Sequence, residues 1–213
     1  MHLDHVSFAA EPDGLAAAAG RLADALGIEA YDGGVHPRFG TRNLVFPLES
    51  GHYLEVVEPL EHPATLSTPF GQAVRARSEM GGGWMGWVIR VDDLAPVEAR
   101  LERAAVDGNR TPPGHEEVVW KQIGIKGLIA DPQLPYFIRW DSPAAQHPAA
   151  LGPRNDVSIA ELSIAGDRDR VRDWLGTDDK KPISEISIDW VAPHGAPGIQ
   201  SVTFTTPRGL VTI

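Results

Sequence analysis

An α+β fold made of repeated modules is what the chain predicts, and three observations predict it. Gly and Pro supply 22 and 18 of the 213 residues and cut the chain into short apolar runs, the punctuation of a sheet-rich fold with few helices. The order strand, helix, strands occurs three times. Its spacing repeats too: His5 to Glu55 is 55 − 5 = 50 residues, and Gly86 to Phe137, the positions that correspond when the strands are matched, is 137 − 86 = 51. Repetition of this kind marks units that bury their faces against one another.

The first unit opens with a strand over Leu3–Ala9, with Leu3, His5 and Ser7 expected on one face and Asp4, Val6 and Phe8 on the other. An alanine-rich helix over Asp13–Leu26 follows. It places Leu15, Leu22 and Leu26 on one side, with Asp13 as N-cap and Gly27 as its stop. Strands over Thr41–Leu48 and His52–Glu58 then flank the turn Glu49-Ser50-Gly51. In the second unit a strand begins at Trp84, a helix spans Leu94–Ala105, and strands run over Val118–Ile125 and Leu134–Asp141. After the Pro/Ala linker Ser142–Pro153 a shorter copy has strands over Val157–Ala165, near Ile183–Trp190 and over Ile199–Thr206, a helix over Arg168–Leu175, and a last strand ending at Ile213. The expected modules are residues 1–80, 81–145 and 155–213.

Composition narrows the function. With 19 Lys+Arg against 29 Asp+Glu the formal charge is −10, which repels the phosphate backbone of nucleic acid. The chain has no cysteine, so disulfides, thiolate nucleophiles and thiolate metal sites are excluded. Any metal would sit among imidazoles and carboxylates. No apolar run reaches the roughly twenty residues that span a bilayer, and the N-terminus lacks the layout of a signal peptide, so a cytoplasmic protein is expected.

Leu3-Asp4-His5-Val6, the segment Gly33-Gly34-Val35-His36-Pro37 leading to Gly40-Thr41-Arg42-Asn43, Tyr53-Leu54-Glu55, Gly86–Leu94 and Leu134–Trp140 occur in order at near-equal spacing. Together they resemble the vicinal oxygen chelate superfamily of glyoxalases, bleomycin-resistance proteins and dioxygenases, and more closely its glyoxalase-like branch. The resemblance implies two βαβββ modules whose curved sheets pair around a cleft, followed here by a third, partial βαββ module. It also implies metal ligands on the first and last strands of each module. His5 and Glu55 match the ligand positions of the first module, and imidazole with carboxylate suits Zn, Mn, Fe or Ni. The second module departs from the pattern, because Gly86 and Phe137 or Ile138 offer no donor. A catalytic ion generally takes about three protein ligands and water. His36, His62, His115, His194 or Glu161 would have to complete the set. Without a metal, His5 and Glu55 form an ion pair or hydrogen bond in a polar cavity.

Further expectations concern the ligand. His36 and Asn43 belong to a loop at the cleft mouth, as ligand contacts or as loop caps. Arg110, in the loop before the strands of the second module, faces a substrate carboxylate or solvent. Trp120 and Trp140 are the tryptophans expected near a pocket. Two functions stay open. One is a divalent-metal-dependent lyase, isomerase or dioxygenase acting on a substrate with adjacent oxygens, with Glu55 as the identifiable base. The other is a metal-free protein that sequesters a small molecule without catalysis. A homodimer is the commonest assembly for such a chain.

Overall fold

In a computed structural model of the chain the first two repeats join into one eight-stranded sheet, and the third forms a sheet of its own. The structure describes residues 1–179, 183–191 and 197–213. The first repeat runs β1 (His2–Ala9), α1 (Leu15–Leu26), β2 (Tyr31–His36), β3 (Thr41–Pro47) and β4 (Tyr53–Pro59). Two short helices, α2 (Pro63–Ser67) and α3 (Pro69–Glu79), lead on. The second repeat runs β5 (Gly83–Arg90), α4 (Ala95–Leu101), β6 (Val106–Arg110), β7 (Val118–Ile123), α5 (Gly127–Ala130) and β8 (Tyr136–Trp140). The last part is β9 (Ser158–Ala165), α6 (Arg168–Leu175), β10 (Ser187–Val191), β11 (Gly198–Thr206) and β12 (Gly209–Thr212).

Helix α1 forms for the expected reason, a Leu and Ala stripe that is buried, and stops at Gly27, whose φ of 73° is costly for any side chain. Its start differs from expectation. Gly14 occupies the N-cap, Asp13 instead pairs with Arg21, and the free backbone N–H of Leu15 donates to Glu58 Oε2 at 2.9 Å from β4.

The large sheet has the order β2-β3-β4-β1-β5-β8-β7-β6. Its centre is the antiparallel pair β1·β5, and each repeat adds its last strand in parallel to its first. Beta-1 carries an irregularity: Leu3 pairs with Ile89 and His5 with Val88, so Asp4 is an extra residue on its side of the ladder. The bulge breaks strict alternation. Leu3 therefore packs with Val6 and Phe8 in the main core, not on the face of His5 and Ser7 as the alternation predicts.

The outer strands β2 and β6 approach each other, so the sheet curls into a nearly closed barrel. Arg110 donates to the Gly33 carbonyl across this seam, and Arg38 Nε donates to Asn109 Oδ1 at 3.1 Å. A side chain at Gly34 would meet the Thr111 carbonyl at 2.5 Å. Arg110 thus lies at the end of a strand and is 2% exposed, which corrects its expected place in a loop. His36 and Asn43 likewise lie in β2 and β3 and are buried.

The main core lies outside the barrel, between the large sheet, α1 and the small sheet of order β10-β9-β11-β12. Trp87, Phe137 and Phe204 are fully buried in it, each contributing roughly 2–3 kcal/mol by leaving water. Trp84 Nε1 donates to the Ile213 carbonyl at 2.8 Å, and Arg208 donates to the carbonyls of Asp24 and Ala25 at the end of α1. The third repeat therefore packs behind the barrel. Among the described residues no helix is long and apolar enough to cross a membrane.

Candidate functional site

A second apolar cluster lies inside the barrel, and polar side chains interrupt it. His5 from β1, Glu55 from β4, Asn43 from β3, His36 from β2, Arg110 from β6 and Tyr136 from β8 line one enclosed chamber there. Trp120 and Trp140 line it too. The seven side chains expected at the site from the sequence are thereby brought together. The chamber has about 20 Å³ of free volume, enough for about one water molecule.

His5 is 2% exposed and held from both ring edges. Its Nδ1 lies 2.7 Å from Asp4 Oδ1, and its Nε2 lies 3.3 Å from the Tyr136 hydroxyl and 3.9 Å from Glu55 Oε2. Tyr53 stacks on the ring with centroids 4.2 Å apart. The Asp4 carboxylate is fully buried. Burial alone pushes its pKa up, but hydrogen bonds from His147 and His5 and the electrostatic attraction of both rings outweigh this and hold it far below the ordinary value. His147 Nδ1 accepts the Ala149 N–H, so its Nε2 carries the hydrogen that it donates to Asp4 Oδ2 at 3.1 Å. Trp140 Nε1 donates to the same oxygen at 3.0 Å, and Arg90 Nη1 stands 3.7 Å away. An ionised carboxylate only accepts, so His5 Nδ1 carries the hydrogen that it donates to Asp4, and Nε2 faces the chamber.

Glu55 is held differently. Asn43 Nδ2 donates to Oε1 at 2.7 Å and the Ser7 hydroxyl to Oε2 at 2.9 Å. Burial raises its pKa, yet the imidazoles of His5 and His36 and these two hydrogen bonds bring it below the ordinary value, so it stays charged. Arg110 Nη1 reaches Asn43 Oδ1 at 3.3 Å, and its Nη2 is buried without a hydrogen-bond partner among the described residues. Gly33 makes room for this contact, since a side chain there would fall 2.0 Å from Asn43 Oδ1. Burial pushes the His36 pKa down to about 4, leaving a neutral ring whose Nδ1 bonds Thr41 Oγ1 at 2.9 Å. Burial pushes the Tyr136 hydroxyl well above its ordinary value, so it keeps its proton.

Strand register explains the second module. Ser7 pairs with Glu55 and Val88 with Tyr136. When Gly86 takes the place of His5, Val88 takes that of Ser7, and the counterpart of Glu55 is Tyr136, not Phe137 or Ile138. Phe137 points into the outer core. Asp4, Tyr53, Tyr136, Gln122 and His147 belong to the site although the sequence does not single them out. Only Asp4 leaves a signal there, a lone acid inside an apolar strand.

Residues 3–179 match the family described as glyoxalase-like domain. The chain belongs to this family. Within the vicinal oxygen chelate superfamily, this glyoxalase-like chain is similar in fold to a hypothetical protein from Staphylococcus aureus, with a TM-score of 0.67, 14% identity, and 95% of this chain covering 90% of that one. A methylmalonyl-CoA epimerase variant from Streptomyces coelicolor in complex with 2-nitronate-propionyl-CoA aligns at a TM-score of 0.43 and 16% identity, over 66% of this chain and 96% of that one. No curated protein sequence matches the chain.

The donors present do not fit a divalent ion well. His5 and Glu55 are close enough to share one, but both Glu55 oxygens already accept hydrogen bonds, and Gly86 and Tyr136 stand where the second pair would be. Among the described residues no group of three His, Asp or Glu side chains is placed to hold a metal ion; His36 lines the chamber, with its Nδ1 bonded to Thr41. His62 caps α2, and His115 and Glu161 lie outside the chamber lining. His194 falls outside the described residues.

Proposed function

We propose that this glyoxalase-like protein binds a small organic acid or carbonyl compound and moves a proton on it without a metal, as an isomerase or lyase. The observation that carries this reading is the Asp4–His5 pair, whose Nε2 faces the buried chamber beside a protonated tyrosine. His5 Nε2 takes the proton from a carbon next to a carbonyl, and Asp4 stabilises the imidazolium that results. The negative charge moves to the carbonyl oxygen, to which Tyr136 donates its hydrogen bond. Arg110 supplies positive charge for the substrate carboxylate, and His36, Asn43, Trp120 and Trp140 shape the walls around it. Glu55, tied to Ser7 and Asn43, acts on the charge of His5 and is less free to serve as the base itself. The modules at 1–80 and 81–145 build the chamber, and that at 155–213 supports it from behind.

The two other readings ask more of the protein. Catalysis through a divalent ion as lyase, isomerase or dioxygenase needs at least one donor beyond His5 and Glu55. Sequestration without catalysis gives the oriented Asp4–His5 pair no task. The test is deuterium incorporation from D₂O into a panel of small 2-oxo acids and hydroxyketones, followed by NMR with chelator present. Wild-type protein is expected to label at least one compound and His5→Ala none. Labelling that persists in His5→Ala, or that appears only with added Mn²⁺, Fe²⁺, Zn²⁺ or Ni²⁺, overturns the proposal.

A further inference from the structure

We infer that the shallow groove outside Phe39 and Phe70 is a second subsite, which holds the apolar body and outer anionic end of an elongated amphipathic ligand. This deepens the proposed function and rests on it in one respect: the inner end of that ligand is taken to be the reacting end.

The chamber has room for about one water-sized group, so the bulk of any substrate lies outside it. Phe39, Phe70 and Gln122 line the chamber on one side and, on the other, a groove of about 120 Å³. That volume holds roughly four groups the size of a water or methylene. Pro69, Val106, Ile123 and Ile125 make its walls, with Val106 half exposed at 51%. Two cations, Arg103 and Lys126, stand in the lining, and no acid does. Arg103 Nε donates only to the Leu101 carbonyl at 3.3 Å, and Lys126 makes no ion pair among the described residues. In a chain of formal charge −10 such a pair beside an apolar floor complements an organic anion.

The partition also distinguishes this route from the other one. A separate cleft of about 780 Å³ meets the chamber at Trp140. There Trp140 and His147 are hydrogen-bonded to Asp4, so opening that wall dismantles the support of His5. Phe39 and Phe70 meet each other, and between them His36, Trp120 and Tyr136, through ring contacts without side-chain hydrogen bonds. Turning two phenyl rings breaks no hydrogen bond, and an acyl chain packs into the space they vacate.

The experiment is calorimetric titration with linear carboxylates of four to ten carbons and with the alcohols of the same length, together with methyl NMR of Val106, Ile123 and Ile125. Affinity for carboxylates is expected to rise about fourfold per methylene and then level off once the groove is full. Octanoate is expected to bind at least tenfold more tightly than octanol. Arg103→Glu combined with Lys126→Glu should abolish that preference while leaving the melting temperature unchanged, and Val106→Trp should block both ligands. His5→Ala should still bind octanoate, so loss of the proton chemistry and loss of the subsite are separable. No saturable binding, equal binding of acid and alcohol, or shifts confined to the Trp140 side would each overturn the inference.

Discussion

Replacing Asp4 with Asn tests the central arrangement most directly. The wild-type carboxylate is fully buried and accepts hydrogens from His5, His147 and Trp140, with Arg90 at 3.7 Å. Hydrogen bonds to a charged group are worth about 1.5–3 kcal/mol each, and the amide keeps some of them while its own N–H₂ confronts a donor. Uncoupling a buried charge set of this kind costs about 3–5 kcal/mol. For a chain of this size that corresponds to a fall in melting temperature of roughly 6–20 °C at pH 7. The sign of the pH dependence follows from the depressed pKa of Asp4. Its contribution is complete above the unfolded value near 4 and is lost as pH falls toward the folded one, so the gap between wild type and Asp4→Asn narrows in acid. Thermal unfolding followed by circular dichroism at pH 7 and at intervals from pH 5 to 2 measures it. A melting temperature within 2 °C of wild type at pH 7, or a gap that does not narrow in acid, refutes the reasoning.

Other perturbations probe the neighbouring contacts. His36 has its pKa pushed down to about 4 by burial, against about 6.5 unfolded, so it withdraws stability as pH falls from 6.5 through 4. By pH 5 this loss reaches about 2 kcal/mol. His36→Gln should therefore lose less stability than wild type between pH 7 and 5 in urea titrations; parallel losses would count against it. Gly33→Ala places a methyl against Asn43 and Arg110 and should cost about 1–3 kcal/mol by overpacking, read as a lower urea midpoint at unchanged slope. Arg110→Met removes the donor to Gly33 and Asn43 and should speed hydrogen exchange of the β2 and β6 amides without changing that of β9 and β11.

Long runs with a clear period can be read from the sequence, and the parts held by the rest of the fold cannot. Beta-1, α1, β3, β4, β5, β7 and β8 each carry an apolar pattern of their own. Beta-2 contains Gly33-Gly34, and β6 contains Asp107-Gly108-Asn109; such residues favour turns, and here pairing with β3 and β7 overrides them. The seven expected site residues converge because each lies on a strand whose facing the barrel fixes. Strict alternation puts Asp4 on the wrong face because it contains no bulge, and His147 lies in a Pro/Ala segment with no periodicity. Spacing alone lands one residue past Tyr136, and only the ladder to Val88 supplies the true register.

The seam between β2 and β6 has a consequence for association. Exposed strand edges invite other chains to add to a sheet, and here the two outermost strands of the large sheet cover one another. Strand-by-strand growth is thereby confined to the small sheet, whose outer members are β10 and β12. Leu210 on β12, 72% exposed, makes that border the place where a second copy or an aggregate would take hold.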